Sequence, residues 1–157
     1  MSEESLLFPI ELGRSASFTK TIAESDVYLF AGITGDLSPN HVDEETMKAT
    51  PYGTRIAHGA LLIGFMSNTS SKILEGTCQG NETAVSLGYD RIRFLAPARI
   101  GDTISVHYEI VAIDPVRRRS TADCRITNQR GEVVAVAQHI LKWVANNASN
   151  LVPPTGS

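Results

Sequence analysis

Several things are scarce in this 157-residue chain. It has two cysteines, Cys78 and Cys124, with no CxxC spacing. With no secretion signal, both are expected as free thiols rather than a bridge. Formal net charge is only -3, too small for a global field toward nucleic acid or an anionic membrane. The longest mainly apolar stretch, 56–66, is interrupted by His58, Gly59 and Gly64 and is too short to span a bilayer. The first five residues are polar and acidic, unlike a signal peptide, so a cytoplasmic location is the default and the sequons at Asn68, Asn81 and Asn147 read as chance. There is no GxGxxG, no P-loop and no metal-ligand spacing among four histidines and two cysteines, so neither a cofactor nor a metal is expected.

What remains is 42% hydrophobic and 20% charged, enough for one globular domain over 1–157. An ordered core is expected over about 6–145. The segment 146–157, rich in Asn, Ser, Pro and Gly, reads as a tail. A helix is expected over 23–33, with Glu24 and Asp26 at its positive end. A Gly/Pro loop follows over 34–40, then a short segment 44–49 capped by Asp43. The longest helix is expected over 57–74. Its first turns are apolar nearly all round, so it must be covered on several sides. The second half reads as strands over 83–94, 103–113, 120–128 and 132–144, with one more inside 6–22. Helices followed by a meander of strands indicate α+β, with an antiparallel sheet curling around the 57–74 helix.

Chemistry concentrates in the loop. Asp36 and His41 stand five residues apart between Gly35 and Val42. An ionised carboxylate accepts hydrogen bonds and an imidazole accepts or donates near neutral pH, so two such groups converging on one water would serve as base and acid. By spacing alone, a capped turn with a solvated histidine explains them as well. Gly59 opens the apolar helix, where unpaired N–H groups and partial positive charge could hold a developing oxyanion. His58 is either a second acid or base or, more in keeping with its position, a hydrogen-bonding residue at the helix start. His107 and His139 fall within strands and carry no assigned role.

Three motifs in order, Gly35-Asp36-x-x-Pro39-x-His41, Ala57-His58-Gly59-Ala60-Leu61-Leu62 and Phe94-x-x-Pro97-x-x-x-Gly101-Asp102, resemble the MaoC-like family, also called hydratase 2. The resemblance covers roughly 20–145. It implies a hot-dog fold, usually dimeric, and reversible syn addition of water to a trans-2-enoyl-CoA, giving the (R)-3-hydroxyacyl-CoA. It also implies roles. Asp36 would orient and activate the water, His41 would share it and assist proton transfer to the α-carbon, and the Gly59 N–H would hold the thioester oxygen. Ser67 matches a serine near that pair. Arg91 and Arg93, two apart on an expected strand, would share a face toward the coenzyme A phosphates, although solvated strand charges are the plainer reading. The family loop usually carries Asn where this chain has Ser38 and an aliphatic residue where it has Asn40. Two rivals follow from the same fold. A thioesterase or acyl-carrier-protein dehydratase usually keeps a carboxylate on the central helix, and 57–74 contains none. A non-catalytic acyl-CoA-binding subunit would tolerate loss of Asp36 or His41, and both are present.

Overall fold

The structure, a computed structural model, describes residues 8–76 and 81–146. Cys78 and nearly all of the expected tail lie outside these residues. The chain runs β1 (Ser15–Thr21), α1 (Glu24–Thr34), α2 (Pro39–Val42), α3 (Glu44–Lys48), α4 (Gly59–Ile73), β2 (Glu82–Phe94), β3 (Thr103–Asp114), β4 (Arg119–Asn128) and β5 (Val133–Ala145). The strands form one antiparallel sheet in the order β1-β3-β4-β5-β2.

Alternation sets the inward face. Ile104, Val106, Tyr108 and Ile110 of β3 are buried, as are Ala122, Cys124 and Ile126 of β4 and Ala135, Ala137, Leu141 and Trp143 of β5. The alternate residues are less buried, as a period of two requires, except Val134, which is buried beside Ala135 where the β4–β5 register shifts. α4 packs on this face against β1 and β3. Leu62, Met66, Thr69, Ser70 and Ile73 are its buried stripe, at helical spacing. Leu61, Ile63 and Phe65 pack against the same core, so the helix is covered on several sides as expected. The Trp143 indole N–H donates to Ser120 Oγ (3.2 Å), which satisfies its polar edge inside the core.

Three expectations need correction. The strands are not one meander, because β2 pairs with β5 and not with β3, so the chain crosses the sheet between β2 and β3. The long helix begins at Gly59, not at 57, because Ile56 bridges Arg99 and the Ala57 N–H donates to Ala98 O (2.7 Å). The 34–40 loop is shorter, because Pro39, with its φ preset, starts the one-turn helix α2 that carries His41. β1 fills only the later part of 6–22. Of the expected tail only Asn146 is described, and its N–H donates to Asn81 O (2.7 Å). Cys124 is a free, buried thiol, and burial pushes its pKa up to about 12. Among the described residues, no helix is long and apolar enough to cross a membrane.

Candidate active site

The site is built where α1, α2 and the first turn of α4 meet. Gly35 leaves α1 in the left-handed conformation (φ +77°), which glycine adopts without strain, and this swings Asp36 out of the helix line. Thr34 Oγ1 donates to Phe30 O (2.8 Å) and accepts the Asp36 N–H (3.3 Å). The Asp36 carboxylate is solvent-exposed and accepts the Ser38 N–H (3.3 Å). Ser38 stands at the N-cap of α2 without a side-chain capping bond.

His41 is fixed from two sides. Its Nδ1 lies 2.7 Å from Ile56 O, and the Ile56 N–H donates back to Asn40 O (3.0 Å). A carbonyl only accepts, so Nδ1 carries the proton and Nε2 of the neutral ring is a bare acceptor. Arg55 anchors the segment that Ile56 belongs to. Its guanidinium bonds Glu24 of α1 (2.6 Å), Glu44 of α3 (3.0 Å) and the Tyr28 hydroxyl (2.7 Å). Bonds to the Glu24 and then the Glu44 carboxylates raise the Arg55 pKa further, and the Arg55 backbone N–H and Thr54 hold Glu44 below the usual carboxylate range.

His58 is 1% exposed and lies directly against this pair. Its Nε2–H donates to the main-chain carbonyl of Asp36 (3.1 Å), and its ring stacks on His41 with centroids 3.7 Å apart and planes at 26°. Phe30 packs against it at 4.8 Å. Its remaining nitrogen, Nδ1, is buried with no hydrogen-bond partner. One carboxylate oxygen of Asp36 and one ring nitrogen each of His41 and His58 fall within 4.8 Å of one another. A divalent cation fits this cluster poorly. Imidazole lone pairs lie in the ring plane, and in stacked rings they run side by side instead of converging on one ion.

Gly59 has a steric reason to be glycine. A Cβ there would sit 2.7 Å from the Phe94 ring, so any larger residue would collide with that ring. The Gly59 and Ala60 N–H groups remain the first of α4 and have no carbonyl of their own helix to reach. They adjoin His58, which places donors beside the Asp36–His41 pair.

The other expected residues stand apart. Ser67 makes no hydrogen bond to Asp36 or His41. It lies beside the Tyr89 hydroxyl, whose pKa burial pushes up to about 12 against the opposing effect of Ser67. Regular alternation does not put Arg91 and Arg93 on one face. β2 carries an extra residue between Asp90 and Arg93, and Arg91 takes a left-handed φ of +54°. Arg91 lines a cavity of about 240 Å³ with Asp123, Arg125 and Gln138, on the sheet face away from α4, whereas the Arg93 guanidinium donates to Ile92 O (2.7 Å). Sequence reasoning missed the bond from His58 to the Asp36 loop, the Arg55 clasp and the Phe94 ring over Gly59. The only advance signal was the polar pair His58-Gly59 at an apolar helix start.

Fold and site together define an α+β domain with an Asp–His pair at the head of a sheet-covered helix. The sequence pattern of the MaoC like domain matches residues 9–130, and the chain belongs to that family. It is 40% identical over 109 residues to an (R)-specific enoyl-CoA hydratase of Rhodospirillum rubrum, covering 69% of this chain and 72% of the relative. It is 39% identical over 115 residues to a 3-hydroxybutyryl-CoA dehydratase of Methylorubrum extorquens, covering 73% and 69%. Among solved structures, an (R)-hydratase from A. caviae superposes with a TM-score of 0.76 at 26% identity, covering 85% of this chain and 96% of that one. These neighbours agree with the hot-dog arrangement of an antiparallel sheet around one long helix.

Proposed function

We propose that this protein is a hydro-lyase that adds water reversibly to a trans-2-enoyl-CoA to give the (R)-3-hydroxyacyl-CoA. The observation that carries this reading is the convergence of the exposed Asp36 carboxylate and a ring nitrogen of His41 beside the first turn of α4. A water between them donates one hydrogen to each. Its oxygen bonds to C3 of the enoyl thioester, and the electron pair of the C2=C3 bond moves toward the thioester carbonyl. The Gly59 N–H holds the oxygen on which negative charge develops. The proton released by the water stays on the pair and passes to C2 on the same face, so the hydroxyl and the hydrogen added both come from one water. The names of the two bacterial relatives support coenzyme A thioesters as the substrate class.

In the same reading Ser67 takes part in substrate binding, while the extra residue in β2 removes the ground for Arg91 and Arg93 acting together on the coenzyme phosphates. A homodimer or higher homo-oligomer forms, and the location is cytoplasmic. Pairing through β2 is consistent with its place at the sheet edge and with the exposed Val85 and Leu87 on it. Neither a thioesterase nor a silent acyl-CoA-binding subunit has an observation in its favour, since α4 carries no carboxylate and both members of the pair are in place.

The test is hydration of crotonyl-CoA followed by loss of enoyl absorbance, with chiral analysis of the product. Formation of (R)-3-hydroxybutyryl-CoA is expected. An (S) product, or no turnover of either short or medium-chain enoyl-CoAs, contradicts the reading.

A further inference from the structure

We propose that His58 is a positioning residue for the hydration, and that its one ring sets the distance between Asp36 and His41. The inference rests on the reading that those two residues hold the reacting water. Three observations point to it. The Nε2–H of His58 reaches across 22 residues to the Asp36 carbonyl, and this bond ties the catalytic loop to the head of α4. The exposed carboxylate is otherwise steadied only by the Ser38 N–H at 3.3 Å, so the orientation of Asp36 depends on its backbone being held. The face of the same ring lies on His41 at 3.7 Å, so the two members of the pair are referenced to one rigid plane.

The helix itself does not require this histidine. His58 occupies the N-cap position of α4, yet its side chain makes no capping bond. Its Nδ1 is left buried and unpaired, which costs free energy in any interior. A group chosen for folding alone would satisfy that nitrogen or replace it with carbon. An unsatisfied buried polar atom calls for a reason, and a role beside reacting groups is one.

Two substitutions separate position from bulk. The amide nitrogen of glutamine extends to the place of Nε2, and that of asparagine stops near Nδ1. His58→Gln therefore keeps a donor for the Asp36 carbonyl, and His58→Asn loses it. With crotonyl-CoA, His58→Asn is expected to lower kcat by about 10- to 100-fold, the range that an ångström-scale misplacement produces. KM should stay within roughly threefold, because ground-state binding does not depend on the pair's alignment, and His58→Gln should recover part of the lost kcat, since it restores the donor to the Asp36 carbonyl but not the ring on His41. Thermal unfolding of both variants is recorded beside the wild type. Wild-type kcat in His58→Asn, equal losses in both variants, a loss confined to KM, or failure of both to fold overturns the inference. Asp36→Asn is assayed in parallel. Full activity there means that the catalytic pair itself was misassigned. An inactive Asp36→Asn with a fully active His58→Asn means that only the positioning claim fails.

Discussion

His139 in the sheet and the His41–His58 couple at the head of α4 are buried imidazoles in opposite circumstances. His139 is fully buried, with Ser86 Oγ 2.8 Å from its Nε2, the Tyr108 hydroxyl 2.9 Å from its Nδ1, and the Tyr89 ring stacked on it at 4.1 Å and 6°. Both of its nitrogens are used. Burial pushes its pKa down to about 4, so the ring is neutral and inert. His41 and His58 are stacked as closely, but each spends one nitrogen on a backbone carbonyl, and the second nitrogen of His58 is buried without a partner. The difference teaches that burial does not separate a structural histidine from a working one. What sets these two environments apart is that His139 has both nitrogens bonded and His58 has one left over.

The comparison can be pressed from the site side first. Gly59→Ala puts a methyl group 2.7 Å from the Phe94 ring, and either the ring or the first turn of α4 must shift. A fall in kcat of about tenfold or more is expected, since an oxyanion donor moved off line loses most of its value. Single-turnover hydration of crotonyl-CoA measures it, and an unchanged rate would remove Gly59 from the site.

The core side should respond in stability and not in rate. His139→Leu strands the buried Tyr108 hydroxyl and the Ser86 hydroxyl, so denaturant unfolding should show a loss of about 1–3 kcal/mol with kcat within roughly twofold of wild type. The wild type should also lose stability as pH falls from 6.5 to about 4, because the unfolded chain protonates His139 in that window and the folded one resists. That part of the slope should be absent in His139→Leu. A rate effect larger than the stability effect would show that the two histidine environments are not separate.

Much of this was legible in the sequence. The alternation from Ile104 to Ile110 marks β3 to within a residue, and the apolar run after Gly59 marks α4, because both elements are long enough for a period to repeat. α2 has only four residues, too few for any period, and its one signal was Pro39. The partner of β2 was not legible, since closure of the sheet decides it and local pattern does not. The Asp36–His41 pair was visible as a motif. The bond from His58 and the clasp from Arg55 were not, because they join residues 22 and 31 apart through folding. The face shared by Arg91 and Arg93 was inferred from a regular strand, and the extra residue in β2 removes that premise.

The central claim is that Asp36 and His41 hold the water that is added. Asp36→Asn tests it most directly, because the carboxylate is exposed and bonded only to a loop N–H, so the substitution leaves the core intact. The account predicts unchanged thermal unfolding and a crotonyl-CoA hydration rate lowered by about 10²-fold or more, the scale of one acid–base group. A folded Asp36→Asn protein that hydrates at the wild-type rate would contradict it.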